Sequence, residues 1–438
     1  MKHLTLIAIA ASLLNAAANP VPAPPMLPPA TQSAKVVSGA RVSIAEAGAV
    51  GDGQTVNTVA IQKAIDQLAA KGGGTVVVPA GVFVSGALQL KPRVNLHLEK
   101  DGVLRCSNDM TNFPSRRIRI EGQFQESYTP ALINAFECDG LRITGEGVLD
   151  GAGMPTWELF WKLRKQAPDP ENFPNLSIPR ARLAFIEHCR DVLIEGVTFK
   201  DSQFWNLHLY RSRFVQIRSV RFTIPDDYKW APSTDGIDLD SCQDVVVDNC
   251  FFSITDDCVA LKGSRGPHAT EDKLSPPDER VLITNCVFKR GHAAVNFGSE
   301  ATVVRDVRAE NCQLIGDMPL LRLKLRPDTQ QLYENVLVTN STVKSGRATL
   351  VSIQPWKQYF DLKGQPAPKS IVRKVTLSGI TGEFGSLGVI RGNPGQTDIS
   401  DITLENIDVR VKDQKFVTEN VNNLQLKNVV VNGTPLTK

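Results

Sequence analysis

The feature that most constrains this chain is a short internal repeat. Apolar, β-branched runs, each followed by a polar or Gly interruption and a second short run, begin at Asp191, Phe214, Asp244, Arg280, Asn335, Lys374, Asp401 and Asn423. Where no insertion intervenes, the starts differ by 214 − 191 = 23 and 423 − 401 = 22 residues. A repeat of this length built from strands predicts a β-solenoid, whose coils need only their neighbours to bury a core. That escapes the limit which surface-to-volume scaling sets on one globular core of 438 residues. It also places residues one period apart on neighbouring rungs, which decides how the charged residues are read.

Aromatic residues are only 6% of the chain, and the apolar content leans on Val, Ile and Leu, as stacked strands require. The net charge of +3 is too small to argue for nucleic acid or an anionic membrane surface. Any attraction to an acidic ligand must then be local. Lys2 and His3 precede an apolar run from Leu4 to Leu14, followed by Ala16, Ala17 and Ala18. This pattern predicts a signal peptide over residues 1–18 and a secreted or periplasmic protein. The run is too short to span a membrane, and no later segment is long and apolar enough to do so. Residues 19–34, with Pro20 to Pro29, read as an extended linker, and 35–438 as a single solenoid domain.

Strand-like Lys35–Ala45 leads to Gly51-Asp52-Gly53 and then one clear helix. Ile61, Ala64, Ile65 and Leu68 make one apolar face, Asn57 or Thr58 can cap the start, and Gly72-Gly73-Gly74 ends it. Such a helix is what a solenoid needs to close its open end. Strands begin at Thr75. From Arg117 to about Pro179 loops obscure the repeat, and the aromatic, Pro-rich Trp157–Pro179 is a candidate cleft wall. Gly263–Glu279 interrupts the rungs again and is a second candidate. Three of the eight cysteines recur at one repeat position, as Asn249-Cys250, Asn285-Cys286 and Asn311-Cys312. Disulfides across rungs are one reading; a ladder of small buried side chains beneath an Asn ladder is the preferred one. No cysteine or histidine spacing fits a zinc site.

The chemistry-bearing residues follow the same repeat. Asp235 lies 256 − 235 = 21 residues before the adjacent pair Asp256-Asp257, so stacking brings three carboxylates to one patch. Rungs ~4.8 Å apart, with lateral offset, predict Asp235 and Asp256 at the ~6.5–9.5 Å of inverting glycosidases. Asp256 and Asp257 can share a face only at a bend, since adjacent strand residues point opposite ways. Crowded like charges raise at least one pKa and leave a proton donor beside ionised bases. The bland alternative is a solvated Asp-rich turn. His292 follows the second loop, and Arg322 and Lys324 lie 322 − 292 = 30 and more residues on, with Arg326 continuing their row. Together with Lys262, these cations suit a ligand that carries carboxylates, although a solvated strand face gives the same alternation.

Ser233-Thr234-Asp235, Thr255-Asp256-Asp257, Gly291-His292 and Arg322-Leu323-Lys324 resemble, in order, the four motifs of the polygalacturonases, the family 28 glycoside hydrolases. Those motifs read Asn-Thr-Asp, Gly-Asp-Asp, Gly-His-Gly and Arg-Ile-Lys. Gly51-Asp52-Gly53, the run Gly145 to Gly151, and Trp205 with His208 look like the family too, so the resemblance covers about residues 40 to 430. It implies a right-handed parallel β-helix and inverting hydrolysis of α-linked galacturonides without metal or other cofactor. By the same resemblance Asp256 is the general acid, Asp235 and Asp257 hold and deprotonate the attacking water, and His292 tunes the acid. Arg322 and Lys324 then bind the uronate carboxylate, with Lys262 a further candidate. Ser233, Thr255 and Ala293 depart from the family's Asn, Gly and Gly; none removes a charged group, so the departures bear on which substrate is preferred. Arg322 to Val336 and Pro355 to Tyr359 look more like members acting on rhamnogalacturonan or on chain ends; there Trp356 or Tyr359 can stack on a sugar or simply pack a loop.

The expected partner is an acidic pectic polysaccharide, galacturonan or rhamnogalacturonan, and the expected state a monomer. Two alternatives stand beside hydrolysis. A β-helix pectate lyase would use the acids to hold calcium and a basic residue as base. A non-catalytic carbohydrate-binding solenoid would bind without turnover.

Overall fold

The computed structural model describes residues 21–25, 39–357 and 360–437. The expected signal peptide, most of the linker, the segment Lys35–Ser38, and Gln358 with Tyr359 fall outside the described residues. Strands wind into successive rungs, each contributing to three parallel faces. One face stacks Leu207–Tyr210, Ile237–Asp240, Val259–Lys262, Val295–Phe297, Pro319–Leu325 and Thr349–Pro355 in register. A second stacks Arg213–Arg218, Gln243–Asp248, Asp278–Thr284 and Val303–Glu310. The third stacks Thr198–Lys200, Arg221–Thr223, Phe251–Ser253 and Val287–Arg290. This is a right-handed parallel β-helix, and one continuous apolar core runs from Ile44 to Val431.

Local chemistry explains the repeat. All eight repeat starts read from the sequence adopt left-handed backbone, with φ between 54° and 59°. Asn249, Asn285 and Asn311 do the same at the next corner, with φ of 54°, 57° and 56°. Asn and Asp tolerate this region because their short polar side chains bond locally; Asn285 donates to Asp248 at 2.8 Å and Asn249 to Ser219 at 3.0 Å. Inside, Phe199, Phe222, Phe252 and Phe288 stack with centroids 5.1, 5.1 and 5.2 Å apart. All eight cysteines are buried free thiols, as the small-side-chain reading of the Asn-Cys ladder expects.

The N-terminal cap is the helix Thr58–Ala70, which buries Ile61, Ala64, Ile65 and Leu68. Asn57 occupies the N-cap but gives the helix no side-chain bond. Its amide instead ties Val50 and Thr55 together at 3.0 and 2.7 Å. Of the expected first strand, the described residues form Arg41–Ser43. The region read as loops is structured. Arg116–Ile120 and Gln123–Tyr128 form an antiparallel hairpin across a Glu121-Gly122 turn, with φ of 49° and 73°. Positive φ at both turn residues is the geometry that two-residue hairpins favour. Met154–Gln166 is a second helix, anchored by buried Trp157 and Phe160. No described helix is long and apolar enough to cross a membrane.

Candidate active site

The turns that feed the first face carry the acids. Asp235 precedes Ile237–Asp240, Asp256-Asp257 precedes Val259–Lys262, and His292 precedes Val295–Phe297. Because Ile237, Val259 and Val295 are register partners, these turns stack. Backbone bonds lock them: Gly236 N donates to Asp257 O at 2.9 Å and His292 N to Asp256 O at 2.9 Å. Gly291 must be glycine, since a Cβ there would lie 2.7 Å from Cys258 Sγ and 2.8 Å from Asp256 O. Thr255, one of the departures, bonds Thr234 Oγ1 at 2.9 Å and so stitches two of the turns.

One carboxylate oxygen from each of Asp235, Asp256 and Asp257 lies within 4.8 Å of the other two. That is closer than the spacing expected from rung geometry. On separation alone the cluster sits with the closely set pairs of retaining enzymes, so distance does not argue for inversion. Asp257 is buried and its Oδ2 meets Lys324 Nζ at 2.6 Å. The Asp256 side chain is 24% exposed and faces His292, itself 61% exposed, with Oδ1 to Nδ1 3.2 Å.

The crowding does raise one acid, but not the one expected to donate. Burial, then repulsion from Asp256 and Asp238, pushes Asp235 well above the usual carboxylate range. Burial acts to raise Asp256 as well; His292, then Lys324 and Lys262, outweigh it and hold Asp256 below that range. Asp256 in turn raises His292 above the ordinary imidazole value. In the unliganded site the carboxyl held low, Asp256, thus pairs with an imidazole whose charged form it favours, while burial and crowding favour the neutral form of Asp235.

The cations divide. Lys324 and Lys262 join the acids: Lys262 Nζ lies 3.5 Å from Asp235, 3.5 Å from Asp238 and 3.7 Å from Glu300, and 4.7 Å over the Trp205 ring. Lys324 also sits 4.6 Å from the Trp356 ring centre. Arg326 does not extend this row toward a ligand; it is buried against Asp328 at 2.7 Å. Arg322 is half-buried on the same strand as Lys324 and is not among the residues lining the cleft around the acids. His208 is a structural histidine, fully buried, 3.5 Å from Asp240 and held neutral by burial, its pKa near 3.

The cleft, about 320 Å³, is walled by Phe160, Trp161 and Arg164 of the second helix, by Asn175, by Lys229–Ser233 and by Trp356. Trp157–Pro179 thus supplies a wall, as a helix and not as a loop. Gly263–Glu279 does not. It is tied down away from the acids, where Arg119 bonds Asp240 at 3.0 Å and Ser264 at 3.1 Å and approaches Asp272 at 3.4 Å. The sequence reading missed Asp238, Glu300, Glu121 and Trp230. The alternation Ile237-Asp238-Leu239-Asp240 was the one available signal, since it turns both acids outward on the face that bears the site.

A parallel β-helix that gathers three carboxylates, a histidine and two lysines in an aromatic-walled cleft defines a solenoid built for acid–base chemistry. The family profile "Glycosyl hydrolases family 28" matches residues 70–432, and the chain belongs to that family. A second profile, "Rhamnogalacturonase A/epimerase, pectate lyase-like", matches residues 41–97. A probable polygalacturonase of Vitis vinifera is 29% identical over 313 residues, covering 69% of this chain and 60% of the relative. An exopolygalacturonase of Zea mays is 25% identical over 367 residues, covering 78% of this chain and 77% of the relative. Among solved structures, the hyperthermoactive exopolygalacturonase of Thermotoga maritima superposes with a TM-score of 0.73 over 95% of each chain at 23% identity, a likeness of fold.

Proposed function

We propose that this chain is an exported polygalacturonase-type hydrolase that cleaves α-linked galacturonides from a chain end, with inversion. The observation that carries the reading is the asymmetry of the acid cluster. All three line the cleft, but Asp256 alone is part-exposed and pairs with His292, while Asp235 and Asp257 are buried against lysines. Asp256 is the general acid, and the His292–Asp256 hydrogen bond supplies the proton that the leaving oxygen takes. Asp235 and Asp257 hold the water and take its proton as the C–O bond forms. A uronate carboxylate entering beside Lys324 and Lys262 draws on the positive charge that now depresses Asp256, and so raises its proton affinity toward that of a donor. Inversion rests on the family resemblance, not on the carboxylate spacing.

Attack at a chain end is supported by the hairpin. It leaves the wall ahead of the first face, and its tip crosses to the far side: a Cβ at Gly122 would lie 2.8 Å from Gly263 O and 2.9 Å from Glu300 Cβ. Glu121 at that tip lines the cleft with Glu300. A hairpin tip placed there would stop one end of the cleft, which an enzyme cutting inside long chains would keep open. The named activity of the Zea mays relative, an exopolygalacturonase, agrees. Export follows the predicted signal peptide.

The test is a product profile on polygalacturonate, rhamnogalacturonan backbone and reduced oligomers, with the anomer followed by NMR. Free galacturonate of inverted configuration is expected. Mixed saturated oligomers would sink the chain-end reading, and retained configuration the proposed roles. Three carboxylates within 4.8 Å can also share a cation, so a chelator-sensitive product with ultraviolet absorbance from a new double bond would replace hydrolysis by calcium-dependent elimination.

A further inference from the structure

Beneath the three acids lies a fourth. Asp238 is fully buried, and neither of its carboxylate oxygens accepts a hydrogen bond of ordinary geometry. Among the described residues its ion-pair contact is the Lys262 ammonium, 3.5 Å from Oδ1. The same ammonium lies 3.5 Å from Asp235. Its third neighbour, Glu300, has its own guanidinium partners, Arg265 and Arg326, each at 3.9 Å. Two buried carboxylates thus depend on one lysine. Ionising both carries a large desolvation and repulsion cost, which a proton held between them would relieve.

We propose that Asp238 is a positioning residue for the reaction: it shares Lys262 and one proton with Asp235, and by taking that proton it leaves Asp235 ionised and able to act on the water. The proposal rests on Asp235 serving as a base in the reading above.

The surroundings leave Asp238 able to take a share of that proton. On the preceding rung the register partner of Asp238 is His208, which burial keeps neutral. On the following rung it is Ala260, which carries no group to compete. Arg182, whose own pKa burial lowers to about 9, reaches Asp238 only through space. Asp256 and Asp257 repel from the cleft side, and Lys262 attracts from the next rung. Burial, the largest influence, together with this repulsion places Asp238 at about 7, within the range where it can hold the proton during turnover. The proton moves between two carboxylates of one chain, with Lys262 charged throughout, so no outside acid or base is required.

The experiment compares wild type with Asp238→Asn, which is permanently neutral as a protonated Asp238 would be. In wild type the acid limb of kcat/KM on oligogalacturonide should be shallow, because the pair titrates in two overlapping steps. In Asp238→Asn it should steepen to one step and finish lower by about one pH unit. An unchanged slope and midpoint with a merely scaled rate would overturn the proposal, since a structural role lowers amplitude or Tm without moving the limb. Infrared difference titration of the wild-type protein gives a readout that survives a variant failing to fold. A buried protonated carboxyl should persist to near-neutral pH, and its absence above mildly acidic pH would also overturn the proposal. A wild-type protein inactive on every galacturonide would defeat the functional reading instead, leaving the infrared result to judge the shared proton.

Discussion

The same rungs turn two different corners, and the contrast between them separates what holds this protein up from what it does. At the Asn corner the chain passes from Gln243–Asp248 to Phe251–Ser253 through Asn249-Cys250 alone. The next rung repeats the device with Asn285-Cys286. At the catalytic corner it passes from Ser253 to Val259 through Ile254–Cys258, which holds a bend, two adjacent acids and no Asn-Cys pair. The first corner stacks like on like and gains a polar ladder outside and a thiol ladder inside. The second stacks carboxylate on carboxylate and needs two lysines to survive. Regularity therefore marks stability in this fold, and departure from it marks chemistry.

The largest effect should come from breaking the catalytic corner. Asp256→Asn removes the proton donor, and general acid catalysis contributes on the order of 10²–10⁴ in rate. Turnover of polygalacturonate should fall by that much while oligomer binding persists in calorimetry. A near-normal rate would end the assignment of Asp256.

The opposite break belongs one strand earlier on the same rung. Phe252 stacks between Phe222 and Phe288 at 5.1 and 5.2 Å. Phe252→Ala should cost about 3–5 kcal/mol of stability by opening a cavity, read as a lower denaturant midpoint, with kcat of the folded fraction little changed. A loss of kcat without loss of stability would show that the two regions are not separable.

A smaller effect sharpens the comparison by pH. His292 is raised by Asp256, so its charge is fully present below the ordinary imidazole pKa and is lost as pH rises through the raised one. The alkaline limb of kcat should follow that loss. His292→Gln should shift or remove this limb while leaving the acid limb in place; identical profiles would mean that the imidazolium does not serve the acid.

The two corners also differ in how far the sequence discloses them. The repeat is legible because a left-handed corner selects Asn and Asp, and stacked strands select Val and Ile. Even Phe214, Arg280 and Lys374, which lack that local chemistry, were placed by their neighbours in the pattern. Asp235, Asp256, Asp257 and His292 were legible because they keep the same period. What stayed hidden are the parts whose form depends on distant contacts. The hairpin Arg116–Tyr128 is set by Arg119 reaching Asp240. The helix Met154–Gln166 is set by Trp157 donating to Ser202 O at 2.9 Å. Arg322 and Lys324 look equivalent by strand alternation, yet Lys324 meets Asp257 and Arg322 lies outside the cleft lining. Alternation fixes a face; only the neighbouring rungs and the insertions above them fix what a side chain touches.

The smallest effect probes an insertion, where neither corner's rule applies. Trp230 is 68% exposed, yet it is held in place. Its ring meets Trp161 edge-on at 6.4 Å, and Trp161 Nε1 donates to the Trp230 carbonyl. It lines the catalytic cleft and also the hollow beside it that holds Lys162 and Lys165. An exposed, fixed indole beside charged lysines suits the apolar face of a uronate ring, a contact of about 0.5–1.5 kcal/mol. Trp230→Ala should then raise KM for long oligogalacturonides by about 2–10-fold and leave kcat and the thermal midpoint close to wild type. Equal effects on the shortest and longest substrates would place the indole at the cleaved sugar itself. No effect on either would make it one more exposed side chain on a wall whose work is done by Phe160 and Arg164.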